Sequence, residues 1–348
     1  MLLETYDIGL EARTLHLIAG LVLGLIFGIA AQVSRFCFRR AVAGVPEERT
    51  SAATTWAIAL LAATTAFAAL SSLGFIDLSG HRYLSSDLPL VGLILGGLAF
   101  GVGMVLTRGC ISRLTVLSAT GNLRALTVLL VLAVTIHATL KGVLAPLRVW
   151  INGFTVDLPL GTVTDLPGGA FLLVAPIAVG AALLIRRARP SLTHLALGVL
   201  IGLVAAAGWA ATSILLMDEF DPLPVQTAAF TSPWSDTLFW VIASSAVPAG
   251  FGVGFIGGVL GGSFLSAAAR GELALQSFET PAQSLRYGLG GVLMGAGGAI
   301  AGGCTIGAGL SGVATGSVAA IIVLASIAAG GWIMGDALRA TRAALATA

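Results

Sequence analysis

Charge is scarce in this chain, and with it most of what a soluble catalytic domain relies on. Only 10% of the 348 residues are Asp, Glu, Lys or Arg, and there are four histidines and three tyrosines. Soluble domains carry about a quarter charged residues, and no polar stretch here is long enough to form one. Cysteine is also rare. Cys37, Cys110 and Cys304 cannot all pair, and each lies beside apolar sequence, so no disulfide framework is expected. There is no Walker A sequence, no dinucleotide fingerprint and no metal motif of recognised spacing. Neither a cofactor nor a nucleic acid is expected as a partner.

What remains is apolar and rich in glycine. Hydrophobic residues make up 57% of the chain, glycine contributes 46 residues, and mean hydropathy is +0.99. These values predict an all-α polytopic membrane protein, one integral domain over residues 1–348 in contact with the lipid bilayer. Nine runs are long enough, or nearly so, to cross about 30 Å of hydrocarbon as helices. They are Leu15–Val33, Ser51–Leu73, Leu90–Leu106, Leu123–Val143, Gly169–Ile185, Thr193–Leu216, Thr237–Val259, Ser284–Ala301 and Val318–Met334. Glu4, Asp7 and Glu11 precede the first run, which reads as a retained helix and not as a cleaved signal. With nine crossings, Arg35, Arg39, Arg40, Arg49, Arg186, Arg187, Arg189, Arg339 and Arg342 fall on one side. Asp77, Asp87, Asp157, Asp165, Asp218, Glu219 and Asp221 fall on the other. The positive-inside rule then puts the N-terminus outside and the C-terminus in the cytoplasm. His137 and Lys141 share a helix face near a span end, where snorkelling is their expected role.

The most informative stretch is Ala301 to Gly312, A-G-G-C-T-I-G-A-G-L-S-G. Its cysteine sits where a membrane helix should end or break, flanked by Gly303 and Thr305. The stretch has an earlier counterpart. Placing Cys304 over Cys110 brings Gly96/Gly290, Gly97/Gly291, Gly101/Gly295, Gly103/Gly297 and Gly109/Gly303 into register without a gap. A fainter match sets Gly24, Gly28 and Cys37 against Gly250, Gly254 and Ser263. The chain therefore reads as an internal, inverted repeat with halves at roughly 15–145 and 237–336, linked by spans at 169–216. Its expected break points are near Cys37, Cys110, Ser263 and Cys304. Irregular backbone at membrane depth is tolerated only where protein or a wet cavity surrounds it, and many transporters place a midplane site at such breaks.

Each break offers a thiol or hydroxyl and free backbone N–H groups, and Arg108 and Arg113 flank Cys110. A thiol is a weak, polarizable donor and acceptor suited to a soft sulfur-bearing solute. The same cysteines could serve as small buried hydrophobes, and the two arginines could snorkel to lipid phosphates. Three cysteines could bind a soft metal, but no methionine or histidine partner sits nearby. A cysteine that accepts sulfur covalently, as in a sulfurtransferase, would need a lowered pKa. Arg108 could supply charge to Cys110, whereas Cys304 has no base beside it.

R-F-C-F-R-R-A at Cys37, R-G-C at Cys110 and above all A-G-G-C-T-I-G-A-G-L-S-G at Cys304 resemble the YeeE/YedE family of bacterial inner-membrane sulfur transporters. The resemblance covers nearly the whole chain. It implies an hourglass-shaped inverted repeat whose short re-entrant helices meet at the centre. It further implies import of thiosulfate, passed between cysteine thiols, and collaboration with a TusA-like sulfur carrier in the cytoplasm. The pathway residues would be Cys37, Cys110, Ser263 and Cys304, with Gly109, Gly303, Thr305, Arg108 and Arg113 around them. Thiosulfate importers of this kind carry a cysteine at each of four breaks. The serine expected at the third leaves room for a related sulfur or selenium species.

Overall fold

The computed structural model describes residues 11–78, 80–216 and 223–347, with side chains through 341. Asp218, Glu219 and Asp221 of the expected outer face lie outside the described residues, as do Glu4, Asp7 and the Arg342 side chain. The chain is an all-α polytopic membrane protein. Its only paired strands among the described residues are β1 (Asp87–Leu88) and β2 (Val156–Asp157), two residues each.

Among the described residues, thirteen α-helices follow one another: α1 (Ala12–Ser34), α2 (Phe38–Ala43), α3 (Pro46–Ser72), α4 (Leu90–Leu106), α5 (Ile111–Ala119), α6 (Leu123–Leu140), α7 (Ala145–Asn152), α8 (Gly169–Ala188), α9 (Leu192–Ala210), α10 (Thr231–Ile242), α11 (Phe251–Ala269), α12 (Pro281–Ile300) and α13 (Val318–Thr347). Eight segments among the described residues are long and apolar enough to cross a membrane: Ala12–Ala43, Pro46–Ser72, Leu90–Ala119, Leu123–Leu140, Gly169–Ala188, Leu192–Leu215, Phe251–Ala269 and Val318–Thr341. The remaining expected span is α12, 20 residues long. Gln283, Arg286 and its many glycines hold its hydropathy below that of the others, and it packs between α4 and α6.

The seventh expected span, Thr237–Val259, is misplaced. Residues 243–250 interrupt it, with Pro248 and Gly250 beside the start of α11, and the crossing helix is Phe251–Ala269. Ser263 therefore stands inside α11 and not at a break. The glycines around it are used for close packing and do not turn the chain.

That packing is the strongest feature of the fold. Gly20, Gly24 and Gly28 on α1 recur every fourth residue, as do Gly254, Gly258 and Gly262 on α11, and the two stripes face one another. A Cβ at Gly24 would collide with the Phe255 carbonyl, and one at Gly258 with the Leu21 carbonyl. In a bilayer, where lipid is as apolar as leucine, such backbone approach gives helices their contact energy. A second glycine contact joins α4 to α12. A Cβ at Gly103 would lie 2.5 Å from the Gly290 carbonyl oxygen, and one at Gly297 would lie 2.6 Å from that of Gly96. Gly96 matches Gly290 in the duplicated sequence, and Gly103 matches Gly297. Each glycine thus meets the counterpart of the other, the pattern of an isologous contact.

Other contacts come in similar pairs. α1 packs on α11 while α9 packs on α3, and α4 packs on α13 while α12 packs on α6. A branched side chain in the α1–α11 seam should therefore be costly. Gly24→Val is expected to destabilise the protein by about 1–3 kcal/mol through overpacking, measured as a lower midpoint of thermal unfolding in detergent. Gly261→Ala, with nothing within 4 Å of its Cβ position, should leave the midpoint unchanged.

Candidate functional site

Three helix breaks use one backbone device. α1 ends on Arg35 and α4 on Arg108, both with left-handed φ, at 52° and 60°. The break after α12 has Gly302 at 76°. Each of these residues stands two positions before a cysteine: Cys37, Cys110 and Cys304. In the first two breaks the N–H of the following residue reaches back into the helix, Phe36 to the Ala31 carbonyl at 3.1 Å and Gly109 to the Met104 carbonyl at 3.1 Å. These are the bonds of a Schellman cap. A non-glycine residue in this region costs on the order of 1–3 kcal/mol and persists only where its surroundings impose it.

The cysteine then begins the next short helix, Cys37 before α2 and Cys110 before α5. The backbone N–H of Arg40 faces the Cys37 sulfur, and that of Arg113 faces the Cys110 sulfur, each too loosely for a regular cap bond. At the third break the contact is a hydrogen bond, with the Gly307 N–H donating to Cys304 Sγ at 3.3 Å. Three thiols thus stand in the same position relative to the turn they open. All three are buried and free.

The cysteines fall into two groups. The Cys37 and Cys110 side chains meet each other, and the Phe38 N–H also faces the Cys110 sulfur. Ser112 Oγ lies 3.2 Å from Cys110 Sγ. Cys37 opens onto a cavity of about 370 Å³ whose lining includes Arg35, Arg40, His194 and Arg270. Arg113 carries its charge toward both thiols, and Arg39 toward Cys37.

Cys304 has different neighbours. The hydroxyl of Tyr83, from the loop between α3 and α4, donates to the Gly307 carbonyl at 2.9 Å. Trp209 Nε1 donates to the Ser311 carbonyl at 3.2 Å, and Ser311 Oγ donates to the Ala228 carbonyl at 2.8 Å. Tyr83 and Trp209 thus satisfy carbonyls that the irregular turn Gly307–Gly312 leaves open, and Ser311 ties the turn to the segment before α10. Thr305 Oγ1, beside the thiol, is buried and has no hydrogen-bond partner. Arg82 lines two cavities here, of about 280 and 200 Å³, and its guanidinium lies 5.1 Å from the Tyr83 ring centroid.

The segment Ala228–Phe230, just before α10, completes this side. A Cβ at Gly307 would lie 3.1 Å from the Ala229 Cβ and 3.9 Å from Cys304 Sγ. Ala229 and Cys304 therefore both stand beside Gly307, and Ala229 offers no thiol. Phe230 is directed into an aromatic cluster, with ring centroids 5.4 Å from both Phe27 and Phe255.

Of the expected site residues, Cys37, Cys110 and Arg113 come together, and Cys304 has Gly303 and Thr305 beside it. Gly109 and Gly303 are both close-packed: a Cβ at Gly303 would lie 2.8 Å from the Ala308 Cβ, and one at Gly109 would lie 3.2 Å from Leu114. Two expectations fail. Arg108 is exposed at its turn and is no buried partner of Cys110. Ser263 donates to the Gly28 carbonyl at 3.2 Å within the α1–α11 seam, because the glycines that suggested a break there serve the helix contact. Arg39, Arg82, Tyr83 and Ala229 were missed. Arg39 carried a signal, two residues after Cys37, but was read only as an orientation charge.

The comparisons with known proteins fit this geometry. The sulphur transport family matches residues 33–333. The chain belongs to that family. It is a membrane transporter and not an enzyme. Among its relatives is a thiosulfate transporter, TsuA, of Spirochaeta thermophila, 29% identical over 333 residues, covering 90% of this chain and 97% of the relative. The protein of the same name from Escherichia coli is 28% identical over 336 residues, covering 84% and 86%.

His81, on the same cavity as Arg82, supplies a pH prediction. Burial and the adjacent guanidinium push its pKa down to about 4 from 6.5, and its Nδ1 accepts the Tyr83 N–H at 3.3 Å. Protonation therefore favours the unfolded chain. The His81 contribution to stability is present in full above pH about 6.5 and falls away as pH drops toward about 4. Thermal unfolding of wild type against His81→Asn across this range should show the acid-side slope reduced in the variant.

Proposed function

We propose that this transporter imports thiosulfate, or a closely related small sulfur-containing anion, through a constriction lined by Cys304 on one side and by Cys110 and Cys37 on the other. The observation that carries the reading is the threefold recurrence of a buried thiol at the opening of a short helix, always two residues after a left-handed turn. Soft, weakly hydrogen-bonding sulfur suits a solute with a terminal sulfur. The unpartnered hydroxyl of Thr305 adds a donor at Cys304. The names of the two relatives point to the same substrate.

The paired contacts favour repeat halves at about 12–140 and 192–341, related by inversion. α1 would then answer α9, α4 would answer α12, and only the region around α8 would link them. Under this pairing Ala228–Phe230 takes the place of the Cys37 break, and the fourth thiol of the family pattern is absent. The arginine-rich end around Arg35, Arg40 and Arg270 faces the cytoplasm of a bacterial inner membrane, in keeping with the positive-inside rule. A TusA-like carrier would meet the solute there.

Uptake of radiolabelled thiosulfate into cells lacking their own importers tests the reading, with sulfate, sulfite and selenite as competitors. Absence of uptake by well-expressed protein sinks it. Cys304→Ala and Cys110→Ala should abolish uptake at normal membrane levels, and Cys37→Ala should reduce it partly. Ser263→Ala, which removes only a seam hydrogen bond, should transport as wild type. A cysteine adduct heavier by one sulfur atom after thiosulfate treatment, seen by mass spectrometry, would instead favour covalent sulfur transfer.

A further inference from the structure

Asp236, on α10, belongs to the walls of two adjoining cavities. One, of about 200 Å³, it shares with His81, Arg82 and Gly307. The other, of about 210 Å³, it shares with His137 and Lys141. Gln226 also lines both. The first cavity reaches the turn that holds a thiol, since a Cβ at Gly307 would lie 3.9 Å from Cys304 Sγ.

The fold keeps Asp236 among cations without pairing it. α6 lays His137 against α10, its ring stacked on Phe239 at 3.5 Å and its Nδ1 3.2 Å from Ser235 Oγ. Lys141, just past α6, acts on both His137 and Asp236. Among the described residues, none comes within ion-pair distance of the Asp236 carboxylate. The titratable groups on the two cavities are His81, Arg82 and Tyr83 on one and His137 and Lys141 on the other. Burial pushes the Asp236 pKa above the ordinary carboxylate value, against the pull of Lys141 and His137.

An anion in the Gly307 cavity meets the Asp236 carboxyl and the Arg82 guanidinium in one small space. Like charges held together out of water repel far more strongly than in it. Ionised, Asp236 opposes the anion and offsets the attraction of Arg82. Protonated, it leaves Arg82 unopposed and presents an O–H donor.

We infer that Asp236 controls entry of the anion to Cys304, admitting it when the carboxyl carries a proton. The inference deepens the transport reading and rests on it for the identity of the solute.

Paired thiol reagents test this on purified full-length protein in phosphatidylcholine nanodiscs. A sulfonate-bearing methanethiosulfonate and a neutral one of similar size are applied across about pH 5 to 8 at fixed ionic strength. Labelling of Cys304 is read by mass spectrometry. The ratio of the two rates cancels the reactivity of the thiol itself and leaves the charge preference of the route. In wild type the ratio, anionic over neutral, should rise toward acid by up to about tenfold per pH unit. Asp236→Asn, which keeps the shape without the charge, should hold it high and flat. Lys141→Gln removes a cation that favours the ionised carboxylate, so its rise should begin at higher pH. That variant keeps the test decisive should Asp236→Asn fail to fold. His81→Asn and His137→Gln should both retain a slope, and the His81 pKa of about 4 lies below the range used.

A ratio that is flat in wild type, that keeps its slope in Asp236→Asn, or that does not move in Lys141→Gln overturns the inference. So does a slope lost with either histidine, or a Cys304 that the neutral reagent never reaches. Wild-type thiosulfate uptake, measured in parallel, separates the two claims. Uptake with a flat ratio removes the role of Asp236 alone, and a sloping ratio without uptake removes the transport reading alone.

Discussion

A helix that stops inside a membrane protein leaves backbone N–H and C=O groups that neither lipid nor water can satisfy. Most of this structure answers that constraint. At Arg35 and Arg108 the chain turns left-handed and folds its own N–H groups back into the helix it is leaving. At Cys304, Tyr83 and Trp209 reach across from other elements to occupy the open carbonyls. What is left at each break is a sulfur facing backbone N–H. Sulfur accepts weakly, so the donors around it are held in place without being fully engaged. A serine in the same positions would bind those donors more firmly and leave less for a passing solute.

Bringing the breaks together requires helices at backbone distance, and the glycine stripes provide it. At the glycines of the α1–α11 and α4–α12 contacts, backbone approaches backbone. They fix the two helices that end at Cys37 and Cys110 and the one that ends at Cys304. The repeat and the placing of the thiols thus depend on the same residues: duplicated glycines on α4 and α12 meet each other, and the thiols follow at the ends of those helices.

Much of this was legible in the chain. The all-α membrane class, most of the span positions and the duplicated Gly-Cys breaks follow from composition and register. The misreading of Ser263 has a physical cause. Glycine serves both where a backbone turns and where two backbones touch, and sequence spacing does not separate these uses. Gly254 suggested a break at Ser263, nine residues on, and it proved to be part of the α1 seam. The left-handed turns at Arg35 and Arg108 were invisible for the opposite reason, since arginine carries no signal for that conformation. Arg82 and Tyr83 lie in a loop far in sequence from Cys304, and only the fold brings them to it.

The two groups of thiols are unequal, with Cys37 and Cys110 and a cavity lined by Arg35, Arg40 and Arg270 at one and Cys304 alone at the other. A divalent anion crossing a membrane meets a potential worth roughly 2.3 kcal/mol per charge for each 100 mV. Uneven placement of cations reshapes that profile from within. On the proposed pathway, an anion would be held more firmly at the cavity beside Cys37, where Arg35, Arg40 and Arg270 gather, than at Cys304. Departure from that end, and not arrival there, would then be the slower event of a turnover. Ionic strength on the arginine-rich side, which screens exposed cations over about 10 Å, acts on the rate of that departure.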